Sequence, residues 1–234
     1  MLKLHKRLEL VKKLIHEDYP NATFLHIGPV GSGKTTFLMH LLYERLKEGF
    51  KCVYVCVKNS PKTFMWRMKK RNMDVEPYVK NGRLIIVDYL SPKAGIPPDS
   101  SEVGSKIVRL NNPTPTELSI MSNKLRGSDI EFIYVDSLSD IFMDFGFAET
   151  RKLLDIVIPR IRETCIGAFV LDKGVLDEMT ENYIRSRFDG IVEYKVEESP
   201  FGIERYIRMF RFTLAKIDTR WHKLIIEPYG IRIE

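Results

Sequence analysis

Apolar residues along this chain gather into short, nearly continuous runs, separated by segments in which they return every three or four positions. Residues 23–27 (TFLHI), 52–57 (CVYVCV), 83–88 (RLIIVD), 131–136 (EFIYVD) and 166–171 (IGAFVL) are runs of strand length. A strand that is apolar at nearly every position is buried on both faces, as in a parallel sheet covered by helices. The intervening segments read as those helices. One spans 34–48 and is stopped by Gly49, a natural C-terminal cap. Another is opened by Pro61 and runs to about residue 71. Thr114-Pro-Thr-Glu117 has the form of a capping box and starts a helix to 127. A further helix spans 147–164, with a kink expected at Pro159. Residues 91–105 are rich in Pro, Ser and Gly and read as a loop. Residues 1–22 begin as a basic amphipathic helix leading into the first strand.

The pattern changes near residue 188. Residues 190–197, 205–216 and 223–227 alternate polar and apolar positions, with turn residues at Ser199-Pro200-Phe201-Gly202. Alternation of this kind predicts antiparallel strands extending the same sheet over 188–234. No linker separates the two parts, so residues 1–234 are expected to form one α/β domain.

Composition narrows the class. Hydrophobic residues make up 44% and charged residues 29%, which fits a globular chain. No apolar run approaches the roughly 20 residues needed to span a bilayer, and no signal-peptide core follows the basic N-terminus. A cytoplasmic location, without membrane contact, is the expectation. The net charge of +6 permits nucleic-acid contact without supporting it, and Arg67-Met-Lys-Lys-Arg71 reads as the exposed face of a helix. Three cysteines, Cys52, Cys56 and Cys165, lack zinc or disulfide spacing. Cys52 and Cys56 fall on one face of their strand. Glutamine is absent while Lys, Arg and Glu abound, a composition typical of proteins from hyperthermophiles.

The candidate chemistry lies between the first strand and the first helix. Gly28, Pro29, Val30, Gly31, Ser32, Gly33, Lys34 and Thr35 match G-x-x-x-x-G-K-[ST] in full, with Thr36 following. Glycines let backbone N–H groups close around phosphates, and the helix start adds its positive dipole end. Lys34 is expected to reach the β- and γ-phosphates, and the Thr35 hydroxyl to coordinate Mg²⁺. The expected ligand is ATP or ADP with Mg²⁺. Such loops are usually paired with an acidic residue ending another core strand. Asp88 and Asp136 both qualify. Asp136 is preferred as the partner of Thr35 in holding Mg²⁺, and Asp88 reads as a strand-end turn residue.

With these motifs in order, the chain resembles the RecA/KaiC-like P-loop ATPases, the KaiC-like branch above all, from Phe24 onward. The resemblance rests on the loop 28–36, Val53-Tyr-Val-Cys-Val-Lys-Asn-Ser-Pro61, the strand 83–88, Tyr134-Val-Asp-Ser-Leu138, Phe188-Asp-Gly-Ile191 and Leu214-Ala-Lys-Ile-Asp218. It implies a RecA-like core: a central, mostly parallel sheet flanked by helices, with a C-terminal antiparallel extension. It also implies nucleotide held near a subunit boundary in a homo-oligomer, with Lys216 reaching a neighbour's phosphates. Three departures qualify it. The pair of glutamates that such enzymes use to activate water is replaced by Lys58 and Asn59. The basic Lys-Met-Arg becomes Lys216-Ile217-Asp218, with Arg220 near enough to substitute. The glycine-rich lead-in becomes Glu17-Asp-Tyr-Pro-Asn-Ala22.

Three functions follow as expectations. The first is a regulatory protein that binds MgATP, hydrolyses it slowly or not at all, and signals to a partner protein. The second is an active ATPase with a non-standard base, for which Asp88 and Glu163 are nameable. The third is a recombinase-like DNA-binding ATPase, for which the chain carries no appended DNA-binding signature.

Overall fold

The computed structural model describes residues 21–98, 106–124, 129–200, 202–227 and 230–234. The N-terminal helix expected over 1–22 falls almost wholly outside the described residues. The five apolar runs are strands: β1 (Ala22–Gly28), β2 (Cys52–Cys56), β3 (Leu84–Asp88), β5 (Phe132–Asp136) and β6 (Ile166–Asp172). A three-residue strand, β4 (Ile107–Arg109), joins the edge. The C-terminal strands are β7 (Gly190–Ser199), β8 (Gly202–Phe212), β9 (His222–Glu227) and β10 (Gly230–Ile233).

Among the described residues, these ten strands form one sheet, in the order β10-β9-β8-β7-β1-β6-β5-β2-β3-β4. Pairings from β4 through β1 to β7 are parallel; those from β7 to β10 are antiparallel. This is the expected mostly parallel core with an antiparallel extension, with one correction. Residues 190–197 lie parallel to β1 on one side and antiparallel to β8 on the other, so the extension begins at β8. The reason is the helix Glu178–Arg187, a crossover that returns the chain parallel to its neighbour.

Seven helices cover the sheet among the described residues: α1 (Lys34–Glu48), α2 (Pro61–Lys69), α3 (Glu76–Lys80), α4 (Leu90–Lys93), α5 (Pro115–Lys124), α6 (Leu138–Thr164) and α7 (Glu178–Arg187). Alternate strand residues feed two apolar cores. Phe24, Cys52, Tyr54, Cys56, Ile86 and Tyr134 pack on the α1 side. Leu25, Ile27, Val53, Val55, Val87 and Val135 pack with α6 residues such as Leu154 and Ile158. Cys52 and Cys56 share a face as expected, and all three cysteines are buried free thiols.

Several expected boundaries shift. The region 91–105 is not wholly loop, because α4 occupies its start. Helix α6 begins at Leu138, nine residues before 147, and its break is at Gly146, whose φ of 70° only glycine adopts without strain. Pro159 lies inside the helical run. The capping box is half formed. Thr114 Oγ1 accepts from the Glu117 N–H at 3.2 Å, but the Glu117 carboxylate reaches the N–H groups of Asn111 and Asn112, each at 2.8 Å. Strand β8 ends at Phe212, which leaves Lys216 in the following loop.

Two buried histidines make the fold sensitive to acid. His26 of β1 hydrogen-bonds the Tyr194 hydroxyl at 2.8 Å. Burial, then the Lys34 charge, lowers its pKa from 6.5 to about 3. Burial, helped by Arg71 and Lys47, lowers that of His40 from 6.5 to about 4. Below pH 6.5 the unfolded chain takes protons that the folded chain refuses, so these residues' contribution is full above that pH and is lost as pH falls. For His26 alone the loss should reach about 2 kcal/mol by about pH 5. Thermal melts from pH 7.5 downward should show Tm falling in this range. His26→Gln should flatten part of the slope; an unchanged slope would contradict the assignment.

Candidate nucleotide-binding site

Strand β1 ends at Gly28 against its neighbours. A Cβ there would lie 2.7 Å from both the Cβ and the carbonyl oxygen of Tyr194 on β7, so only glycine fits. The chain then turns, with Ser32 N–H donating to Pro29 O at 3.3 Å, and enters α1 through Gly33 in the left-handed region, φ 95°. The first turn of α1 contains no acidic residue of its own to offset its positive end. The loop opens on a cavity of about 450 Å³ lined by Val30, Gly31, Gly33, Lys34, Thr35 and Thr36. Pro29 and Ser32 are not among the lining residues. The same cavity is lined by Lys58, Arg71, Asp172, Arg205 and Ile226 from five other parts of the chain.

Lys34 is buried. Its Nζ donates to Gly28 O at 2.6 Å, Pro29 O at 2.8 Å and Ser32 Oγ at 3.4 Å, and pairs with Asp172 Oδ1 at 3.0 Å. Burial lowers its pKa despite Asp172.

Asp172 ends β6, directly opposite Gly28 in the parallel register. The sequence reading missed it, although 166–172 has the same apolar-run-then-Asp form as 83–88 and 131–136. Its other oxygen accepts from Lys58 Nζ at 2.5 Å, and its N–H donates to Ser139 Oγ at 2.7 Å. Burial alone would raise the Asp172 carboxyl; the hydrogen bonds from Lys58 and Lys34 reverse this and hold it below the usual range. Lys58 shows the converse: burial is outweighed by Asp172, and its pKa is raised.

Asp136 ends β5, one strand beyond β6. Its Oδ2 accepts from the Tyr54 hydroxyl at 3.1 Å, and its Oδ1 is buried without a partner. Burial raises its pKa against the opposing pull of the Thr35 hydroxyl, Lys58 and Tyr54. An unpartnered carboxylate oxygen next to Thr35 is the donor chemistry that a hydrated Mg²⁺ uses. Thr35 and Asp136 therefore fit the metal, and Lys34 with the loop fits the phosphates. Bound Mg²⁺ would supply charge neutralisation at those phosphates.

The other expected carboxylates lie elsewhere. Asp88 is on β3, four strands from β1, about 19 Å at sheet spacing. It caps α4 by accepting from the Ser91 N–H at 3.0 Å. Glu163 lies at the C-terminal end of α6, next to the start of β6, at the opposite edge of the sheet from Asp172. It cannot serve the site. Asp218 is held by Arg220 through contacts of 2.7–3.1 Å, so its charge is paired and not directed at phosphate. Lys216 is exposed in the β8–β9 loop and does not line this chain's cavity. Arg71 ends the basic run 67–71, so one member of that run faces the cavity while Arg67, Lys69 and Lys70 stay exposed.

The model of the KaiC ATPase family matches residues 9–234. The chain belongs to this family. A UPF0273 protein of Pyrococcus horikoshii is 23% identical over 94% of this chain and 89% of its own length. Among solved structures, a KaiC-like protein from the hyperthermophilic archaeon Pyrococcus horikoshii superposes with a TM-score of 0.71 at 20% identity, covering 95% and 94% of the two chains. The flagellar accessory protein FlaH of Methanocaldococcus jannaschii gives 0.71 at 14% identity, covering 96% and 94%. The likenesses show a RecA/KaiC-like fold, and their thermophilic sources agree with the glutamine-free composition. This KaiC-family member is thus a nucleotide-binding ATPase-family protein by descent. None of its helices, among the described residues, is long and apolar enough to cross a membrane.

The metal assignment can be tested by measuring nucleotide affinity with Mg²⁺ and with chelator. Asp136→Ala should lose most of the Mg²⁺-dependent gain, about tenfold or more. Asp88→Ala should keep it, at some cost to stability. The reverse outcome would move the metal to β3.

Proposed function

We propose that this protein is a MgATP-binding regulator that hydrolyses ATP slowly or not at all. The observation that carries this reading is the Lys58–Asp172 ion pair at 2.5 Å. An ammonium stands where the resemblance implies water-activating glutamates, and it neutralises the one carboxylate among the residues lining the cavity. A carboxylate shared by two ammonium groups, with its pKa lowered, is a poor proton acceptor. Lys34 and Thr35 line the cavity and Asp136 ends a strand beside it, which supports retained binding. Loss of a general base typically reduces turnover by 10²–10⁴-fold while sparing affinity.

Asp172 also gives the alternative reading, an active ATPase, its strongest candidate base. Steady-state phosphate release separates the two. Feeble release alongside ordinary nucleotide binding that Lys34→Ala weakens at least tenfold, about 1.4 kcal/mol, is the expected result. Vigorous release abolished by Asp172→Asn would replace the regulatory reading with the catalytic one. Restoring the glutamates requires three changes, Lys58→Glu, Asn59→Glu and Asp172→Asn, because a lone Lys58→Glu would set two carboxylates against each other.

Regulation in this family reading passes through association with a second copy or a partner protein, with Lys216 contributing to the neighbour's nucleotide. Light scattering with and without MgATP should show self-association. A strict monomer under both conditions would remove Lys216 from the site.

A further inference from the structure

The cavity is unusually rich in cations for a site whose loop already supplies a lysine. Lys34, Lys58, Arg71 and Arg205 line it against the single carboxylate of Asp172. Two of the four are committed. Lys34 is bound by two loop carbonyls besides Asp172, and the Arg205 Nε donates to Gly31 O at 2.9 Å. Lys58 differs. Its polar contacts are carboxylates only, Asp172 at 2.5 Å and Asp140 at 3.7 Å, and its side chain is 32% exposed towards the cavity. Asp140 is itself engaged by the Ser137 hydroxyl. Asp172 is also paired, through its other oxygen, with Lys34 at 3.0 Å.

We propose that Lys58 is a phosphate-binding residue, held on Asp172 until the terminal phosphate of a nucleoside triphosphate takes it, and that this exchange makes the cavity select triphosphate over diphosphate. The inference rests on the reading of the cavity as a nucleotide site and adds the residue that counts phosphates. An ammonium on a flexible stem has three donors and can leave one acceptor for another without rebuilding the backbone. A triphosphate brings one phosphate more than a diphosphate, and with it the charge that competes with Asp172 for the ammonium. Asp172 is the exchangeable counter-ion: it keeps two lysines from repelling each other in the nucleotide-free protein, yields Lys58 on binding, and stays paired with Lys34, which keeps it a poor proton acceptor. The lysine at the glutamate position then has a role of its own beyond removing a base.

Calorimetric titration of the purified chain with MgADP and with a non-hydrolysable Mg-triphosphate analogue tests this. Lys58→Met should weaken the triphosphate by about tenfold and the diphosphate by less than about threefold. Lys58→Arg, which keeps the cation, should recover most of the loss. Asp172→Asn should read the same exchange from the other side. It should lower the Tm of the nucleotide-free protein, because the buried Lys34 ammonium and the partly exposed Lys58 lose their counter-ion. It should also tighten triphosphate binding severalfold. If Lys58→Met weakens both ligands equally or neither, or Asp172→Asn weakens the triphosphate, the inference is overturned while the nucleotide reading stands. A wild-type chain that binds neither ligand would overturn both.

Discussion

The structure hangs on the clamping of β1 between two parallel neighbours. Every residue of β1 is buried, and it pairs with β6 on one side and β7 on the other. Parallel pairing sends the three strands' C-terminal ends to the same edge, so the loop after Gly28 emerges where Asp172 also ends its strand. Asp136 follows one strand further along, and Lys58 just beyond β2. The chemistry at that edge therefore comes from segments far apart in sequence, aligned by sheet register alone. Close packing keeps it aligned, as at Gly28, where no side chain fits against Tyr194.

That edge carries a cation where the resemblance implies anions. Where the resemblance implies carboxylates after β2 there is an ammonium, and the compensating carboxylate stands across the cavity on β6. The Lys58–Asp172 pair leaves both charges compensated. The opposed shifts at the site record the same network: Asp172 is lowered and Lys58 raised by each other, while Asp136, farther from the cations, is raised by burial.

The core strands were legible because each is apolar at nearly every position, and the phosphate loop because its fixed residues are all filled. Asp136 was legible as a strand end. What escaped was local structure with little apolar signal. Helix α7 buries only Thr180 and Ile184, α3 is a single turn, and β4 has three residues, none fully buried. The first half of α6 was hidden because Gly146 interrupts its periodicity. At the site, the departure at Lys58 was visible, but its partner lies 114 residues away, and no local pattern encodes that distance. Asp172 had the same strand-end signature as Asp88 and Asp136; only register shows which of the three stands beside Gly28. Arg71 and Arg205 gave no sign, since a surface arginine and a cavity arginine look alike in sequence.

The phosphate loop is not free-standing. A Cβ at Gly33 would meet Ile226 of β9 at 2.6 Å, and Arg205 of β8 holds the Gly31 carbonyl. Strands from the last third of the chain thus form one wall of a pocket begun in the first fifth. A displacement on one side of that wall would be felt on the other: were a partner to shift the C-terminal hairpin and thereby change the loop's grip on a ligand, the ligand would alter the docking by the same factor. Messages between the pocket and the outer edge of the sheet need no hinge or separate domain, only this shared wall.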